Sequence, residues 1–275
     1  MGGNIFENTS RIPLARVNTT IAAYTQELGR IFPMKAWSLT FLRPVGSTGK
    51  TPSSGDIDLA IDRTHLVRSF TEAEIKKWGF EYEDWLTAFH KIEKRARTAT
   101  TEMCKVRALL TLIAKKLCDN GVQVDLKKVG PGTMFTLFQQ HDEHGPTEQS
   151  VQIDWVVGNI DWLEWAYYSH GESGLKGLHR TQFMIACLSA KNHTFSHAHG
   201  IKEKKTSIWT VDTVEDALEL LSELYDSMHI EDTFSFESLH YWLKTSSTEE
   251  EYEEVIKIYK GILKISKDIV PKILQ

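Results

Sequence analysis

The sequence lacks any apolar run long enough to cross a membrane, and it is poor in cysteine. Its longest apolar stretches, such as residues 108–114, meet lysine or arginine well short of the ~20 residues that a membrane-spanning helix needs. The N-terminal sequence MGGNIFENTSR lacks the apolar core of a signal peptide. The three cysteines form no CxxC pair, which argues against a disulfide framework or a zinc ribbon. We therefore expect a soluble intracellular protein, cytoplasmic or nuclear, with no membrane partner.

Internal repeats and low-complexity segments are absent as well, and 41% hydrophobic with 25% charged residues is an ordinary globular composition. The net charge of −5 argues against a protein that binds polyanions over its whole surface. Residues 91–128 nevertheless contain ten lysines and arginines against four acidic residues. This stretch could bind a phosphate backbone or form a solvated helix face, and the sequence leaves both interpretations open.

The periodicity of apolar residues predicts an α+β fold. Helices are predicted from an N-cap at Asn18 to Pro33, over residues 72–118 with a C-cap at Asn120-Gly121, and through most of the chain after residue 174. Strands are predicted at residues 37–45, 57–61, 122–129, 134–139 and 151–157, with a hairpin turn at residues 130–132. A boundary near residues 171–174 separates a sheet-bearing domain, 1–170, from a mostly helical domain, 171–275.

The segment VGSTGKTPSSGDID, at residues 45–58, carries the clearest chemical signal. Asp56 and Asp58 alternate along a strand and so project from one face, where two carboxylates repel each other unless a cation lies between them. Oxygen ligands of this kind suit Mg²⁺. Just upstream, Gly46 and Ser47 have little side-chain bulk, so backbone N–H groups and the Ser47 hydroxyl could bind a triphosphate.

Two other interpretations compete for this segment. Gly49-Lys50-Thr51 matches the end of a Walker A loop, but the first glycine of that loop would fall on Pro44, and Pro52 would prevent the helix that should begin there. Alternatively, an Asp-x-Asp pair in a surface strand can simply be solvated. The case for chemistry therefore depends on what accompanies the pair.

Three features occur in the order found in a known family: Gly46-Ser47, Asp56-Ile57-Asp58 and, in a later strand, Val151-Gln152-Ile153-Asp154-Trp155. This order resembles the DNA polymerase β-like nucleotidyltransferase superfamily, and most closely its family X DNA polymerases. The resemblance implies a nucleotidyltransferase palm, a mixed sheet flanked by helices, in residues 1–170, and a helical domain in residues 171–275 that closes over the nucleotide. It also implies two-metal catalysis with Mg²⁺, or Mn²⁺ in its place, held by Asp56, Asp58 and Asp154.

The third ligand has a rival. Asp125 lies in the string Val122-Gln123-Val124-Asp125-Leu126, which is nearly identical to the string around Asp154. We prefer Asp154 because the sequence that follows it extends the resemblance. The residues that the resemblance assigns to nucleotide binding are Gly46, Ser47, Lys50, Tyr167, Tyr168, Lys176 and Arg180. Among them, Lys50 would face the triphosphate, the tyrosine pair would lie beside the sugar, and the last two would face the incoming nucleotide.

Three functions stay open at this point. In the first, a nucleoside monophosphate moves from an NTP or dNTP to the 3′ end of DNA or RNA, and pyrophosphate is released; nucleic acid would bind weakly through Arg95, Arg97, Lys105 and Arg107. In the second, the acceptor is a small molecule, a protein or another nucleotide. The acidic C-terminal half would allow this second function, as would the 36 residues before the first predicted strand, which are too few for the DNA-binding domain of family X. The helical insert around residues 63–118 is a further departure from that family. The third is a binding module without catalysis.

Overall fold

A computed structural model gives the structure of the protein and describes residues 5–33, 41–97, 99–168, 170, 175, 177–206 and 208–275. The chain divides into two compact units, Met1–Ile160 and Asp161–Gln275. The division falls at residue 160 and not at residue 170, so the tyrosine pair belongs to the second unit. The functions that the sequence assigns to the two domains stay predictions.

The first unit is built around a mixed sheet. Its strands are β1 (Ile12–Pro13), β2 (Leu42–Val45), β3 (Ser53–Ser54), β4 (Asp56–Asp62), β5 (Gln123–Val124), β6 (Thr133–Asp142) and β7 (Gly145–Gly158). Among the described residues the main sheet has the order β2-β4-β7-β6-β5, in which β4 and β7 are parallel and the other neighbours are antiparallel. The predicted α+β class with a mixed sheet is thus confirmed.

The limits of the strands differ from the predicted ones. Residues 37–40 lie outside the described part of the chain, so the strand predicted at residues 37–45 is seen only as β2. The strand predicted at residues 122–129 is wrong beyond Val124, where a 3-10 helix, Leu126–Lys128, follows. β6 and β7 exceed their predicted lengths because a tight turn lets them pair as far as Asp142 and Gly145.

Helices complete the first unit: α1 (Leu14–Ile31), α2 (Arg63–Leu66), α3 (Glu72–Lys77), α4 (Tyr82–Glu93) and α5 (Thr101–Asp119). The prediction that Asn18 caps the first helix is wrong. The helix begins at Leu14, after Pro13, whose ring fixes φ at −65° in the extended N-cap conformation. The predicted C-cap at Asn120-Gly121 is confirmed, since Gly121 takes a φ of +90° directly after α5.

The helical stretch predicted over residues 72–118 is interrupted twice. Gly79, with a φ of +73°, follows α3 and turns the chain towards α4. Thr100 then caps α5, because its hydroxyl accepts the backbone N–H of Met103 at 3.3 Å. The result is a helical pair, α4 and α5, packed against each other.

Alternation along β4 separates a buried face of the sheet from a polar one. Ile57, Leu59 and Ile61 are fully buried on the first face. α1 covers the same face, where the Nε1 of Trp155 donates to the hydroxyl of Tyr24 at 2.8 Å. Burial of each aliphatic side chain contributes about 1.5–3 kcal/mol. These contacts fix the register of β4, so the opposite face receives the aspartates.

The second unit is mostly helical, as predicted, with one hairpin that the sequence pattern did not indicate. Its elements are α6 (Ile160–Ala166), α7 (Gly177–Ala190), β8 (His193–Ser196), β9 (Gly200–Glu203), α8 (Val214–Leu224), α9 (Phe236–Ser246) and α10 (Glu249–Ser266). Phe183, Phe236 and Tyr259 form its aromatic centre, with ring centroids 5.2–5.5 Å apart. Over the whole described part of the chain, no helix combines the length and apolarity needed to cross a membrane.

Candidate metal centre

Two parallel strands bring three aspartates together. β4 carries Asp56 and Asp58, and β7 places Asp154 beside Asp58 and Gln152 beside Asp56. Neighbouring residues of paired strands share a face, so all four side chains lie on the face opposite the hydrophobic core. One carboxylate oxygen from each aspartate lies within 4.8 Å of the others, and no other such cluster of acidic, His or Cys ligands occurs among the described residues. The structure therefore assembles the three predicted metal ligands.

The three carboxylates are costly to keep ionised together. Burial raises the pKa of Asp58 well above its ordinary value of 3.8, and the charges of Asp56 and Asp154 raise it further. Burial also raises the pKa of Asp154, to about 7; the hydrogen bond from Gln152 opposes this and the charge of Asp56 adds to it. A cation bound among the oxygens would offset both the burial and the mutual repulsion, so the arrangement favours a metal ligand set over a solvated strand.

Gly46 lets the preceding turn approach Asp58 closely. Its φ is +66°, a conformation that residues with a Cβ rarely adopt. A Cβ added at this position would lie 2.7 Å from Oδ2 of Asp58, which is closer than real Cβ contacts come. Two residues later, the buried Thr48 accepts the backbone N–H of Asp58 through its hydroxyl at 3.0 Å. The turn thus needs glycine at position 46 and is attached to the strand that carries Asp56 and Asp58.

Hydrogen bonds to the carbonyl oxygen of Ser47 hold the rest of the turn together. This oxygen accepts the backbone N–H of Lys50 and the hydroxyl of Ser54, each at 3.1 Å. Lys50 is exposed, and strand β3 follows the turn where a Walker A loop would begin a helix, so the Walker A interpretation is wrong. The predicted roles of Gly46, Ser47 and Lys50 in binding phosphate stay predictions.

Gln152 is a site residue that sequence reasoning missed. It is 2% exposed, and its Nε2 donates to Oδ1 of Asp154 at 2.7 Å. Its Oε1 accepts the backbone N–H of Ile5 at 3.0 Å, which fixes the orientation of the amide. The available signal was its position two residues before Asp154, on the same strand face. Gln152 holds Asp154 in place as hydrogen-bonding partners of metal ligands do.

Asp125, the rival third ligand, has a different role. Its carboxylate accepts the backbone N–H of Lys127 at 3.0 Å and caps the 3-10 helix that follows β5. Its other oxygen lies 3.9 Å from the ammonium of Lys128. Asp125 therefore stands apart from the cluster on β4 and β7, and the preference for Asp154 agrees with the geometry.

The remaining predicted nucleotide-binding residues belong to the second unit. Tyr167 packs on His197, with ring centroids 4.7 Å apart, and Tyr168 packs on Phe234 at 5.3 Å. Lys176 lies outside the described residues. The roles of Tyr167, Tyr168 and Lys176 in nucleotide binding stay predictions.

Arg180 is held inside the second unit and is only 1% exposed. Its guanidinium lies over the ring of Trp165, 5.2 Å from the centroid, and its Nε donates to the carbonyl of Thr233. Burial lowers its pKa to about 9. The expectation that Arg180 faces an incoming nucleotide has no support from this environment and stays a prediction.

Comparison of the chain with protein-family models and with curated proteins gives no match.

Proposed function

We propose that this protein is a metal-dependent nucleotidyltransferase whose first unit is a nucleotidyltransferase palm. It transfers a nucleoside monophosphate from an NTP or dNTP to a hydroxyl at the 3′ end of DNA or RNA and releases pyrophosphate. The observation that carries the proposal is the cluster of Asp56, Asp58 and Asp154 on adjacent strands, with oxygens within 4.8 Å of one another. A glycine turn that contacts Asp58 accompanies it, in the sequence order of the superfamily that the chain resembles.

The donor set fits magnesium. All three side chains offer hard carboxylate oxygens, which Mg²⁺ prefers, and three ligands leave positions for phosphate oxygens and water. Mn²⁺ accepts the same ligands and can replace it. Bound at this site, the metal supplies positive charge to the triphosphate and makes an acceptor hydroxyl more acidic.

The residues of the site would then have separate roles. Asp56 and Asp58 bind the cation that accompanies the triphosphate, and Asp154 completes the ligand set in an orientation that Gln152 fixes. The turn at Gly46 lies against Asp58, and backbone N–H groups of such a turn would donate hydrogen bonds to phosphate oxygens. An exposed Lys50 at the end of that turn neutralises charge on the leaving pyrophosphate.

A primer-extension gel tests this function and the nature of the acceptor. End-labelled DNA and RNA primers, with and without template, are incubated with each NTP or dNTP and with Mg²⁺ or Mn²⁺. The proposal requires at least one primer to be lengthened in a metal-dependent manner, and Asp58→Asn must abolish the extension. If no primer is extended while triphosphate is converted to pyrophosphate in the presence of a small molecule or protein, the acceptor is of that class instead.

A further inference from the structure

A cationic groove lies between α4 and α5, in the helical insert of the first unit. Its volume is about 910 Å³, and α5 lines it with a stripe at intervals of four residues: Met103, Arg107, Thr111 and Lys115. Each residue of such a stripe neighbours the next one on the helix surface. Over these twelve residues α5 rises about 18 Å, at ~1.5 Å per residue. The groove is therefore long enough for an extended ligand.

Cations dominate the rim of this groove: Lys91, Arg95, Arg97, Arg107 and Lys115. All of them are exposed, and Asp84 is the one acidic residue that lines the groove among the described residues. None of the five cations forms an ion pair within the described part of the chain. The groove thus offers five unneutralised positive charges to a ligand.

Two other basic residues of the same stretch, Lys105 and Lys128, make contacts outside the groove. The ammonium of Lys105 lies over the ring of Phe70, 5.7 Å from its centroid, and Lys105 does not line the groove, so its predicted contact with nucleic acid stays a prediction. Lys128 approaches Asp125 at 3.9 Å. The structure therefore shows which basic residues within 91–128 line the groove. The sequence alone could not distinguish them from the rest of the stretch.

The lining indicates what kind of anion fits. Three of the cations are arginines, whose planar guanidinium groups bind phosphate oxygens in pairs. The floor is aliphatic, with Ile92, Met103 and Leu112, and among the described lining residues there is no aromatic ring or amide side chain. Aromatic stacking on bases and amide contacts to adenine both depend on such groups. The groove is thus suited to binding a sugar–phosphate backbone through its cations.

The groove also extends to the start of β6, the strand that neighbours the aspartate-bearing β7. Pro131, just before β6, lines the groove, and Phe135, four residues later, lies opposite Asp154. Four residues span at most about 14 Å, and directly opposed strand residues lie about 5 Å apart. The groove therefore reaches to within about 20 Å of Asp154, which corresponds to roughly six nucleotides at ~3.4 Å each.

We propose that the α4–α5 groove binds the sugar–phosphate backbone of the acceptor nucleic acid, without sequence preference, upstream of its reacting 3′ end. The inference rests on the proposed function for the identity of the acceptor. Binding at the groove requires neither triphosphate nor metal, however, so it can be measured separately from transfer.

Fluorescence anisotropy of a labelled oligo(dT) strand about 20 nucleotides long, measured in EDTA, tests whether the groove binds nucleic acid. At ~3.4 Å per nucleotide, a strand of this length is longer than the groove and its distance to Asp154 combined. With five phosphate contacts, the slope of log affinity against log salt approaches about −3.5 for a single strand. Arg95→Gln with Arg107→Gln should reduce it to about −2.1 and weaken binding about 25-fold at ~0.1 M salt. The matched control is Lys77→Gln with Lys94→Gln, which removes two exposed cations of the same insert outside this groove and should change neither value.

Equal losses in the groove variant and the control would overturn the inference, because binding would then follow net charge alone. Displacement of the strand by a polyglutamate peptide of equal charge, at equal concentration, would also overturn it and mark the groove as a site for acidic protein. A heteropolymeric DNA or RNA strand of equal length should bind as oligo(dT) does. Oligonucleotide binding that the groove variant weakens, and the control does not, would support the inference even if no primer is extended. That combination would refute only the proposed catalytic function.

Discussion

Replacement of Asp154 by asparagine distinguishes the effect of the carboxylate cluster on stability from its proposed role in catalysis. Asn has nearly the same shape, and its side-chain oxygen can still accept the Nε2 of Gln152, which lies 2.7 Å from Oδ1 of Asp154 in the wild type. The variant loses only the negative charge. Metal-free Asp154→Asn protein should therefore be more stable than the wild type at alkaline pH, although it should be inactive.

The size of this effect follows from the pKa of Asp154. A rise from 3.8 to about 7 corresponds to a free energy on the order of 4 kcal/mol, at about 1.4 kcal/mol for each pKa unit. Because the folded-state pKa is raised, the unfolded chain ionises first, and the wild type loses stability as the pH rises from about 4 to about 7. Near pH 8 the variant should exceed the wild type by up to about 4 kcal/mol, and near pH 4 the two should agree.

Magnesium should reduce this difference in stability. A ligand that binds only the folded state at about 100 times its Kd adds about 2.7 kcal/mol to the stability. The wild type should gain this amount, whereas Asp154→Asn has lost one of its three metal-binding carboxylates and should gain much less. The midpoint of thermal unfolding of the wild type should therefore rise with Mg²⁺ and that of the variant should hardly move.

Urea unfolding in EDTA and in Mg²⁺, at several pH values, measures both effects. Asp125→Asn is the matched control, since Asp125 stands outside the cluster and caps a 3-10 helix. It should respond to pH and magnesium as the wild type does. The reasoning is refuted if metal-free Asp154→Asn is less stable than the wild type near pH 8, or if magnesium stabilises both proteins equally.

Further predictions concern the residues that support the cluster. Gly46→Ala should lower the free energy of unfolding by about 1–2 kcal/mol because of the positive φ at this position, and it should abolish transfer by displacing Asp58. Gly49→Ala, where φ is +73° and the added Cβ meets open space, should show the same loss of stability and keep its activity. Gln152→Leu should raise the Mg²⁺ concentration for half-maximal rate about 10- to 100-fold, and activity should return at high Mg²⁺. An unchanged Mg²⁺ requirement would contradict that role. Lys50→Ala should raise the apparent KM for the triphosphate and leave acceptor affinity unchanged, as rates measured against each substrate would show; equal losses for both would place Lys50 elsewhere.

Local patterns were sufficient to predict the strands that carry the aspartates. The alternation of Ile57, Leu59 and Ile61 with polar residues fixes which face of β4 is buried, and this places Asp56 and Asp58 together. The hydrophobic string around Asp154 marked β7 for the same reason. Sequence spacing could not show that β4 and β7 are adjacent and parallel, because pairing between distant strands depends on tertiary packing.

The features that escaped prediction depend on contacts between distant segments. Gln152 is fixed by the backbone of Ile5, far away in the sequence, and no local pattern encodes that bond. The near-identical strings at Asp125 and Asp154 diverge because β5 is short and a 3-10 helix follows it. The α4–α5 groove arises only when Gly79 and Thr100 divide one predicted helical stretch into packed helices.

The central claim is that the aspartate cluster transfers a nucleotide, and the most direct test measures both products of one reaction. Triphosphate labelled at the α-phosphate and an acceptor primer are mixed with the wild type or with Asp58→Asn, in Mg²⁺ or in EDTA. We predict one pyrophosphate released for each labelled nucleotide attached to the primer, in the wild type with Mg²⁺ only. Transfer in EDTA, transfer by Asp58→Asn, or hydrolysis of the triphosphate without attachment to any acceptor would contradict the account.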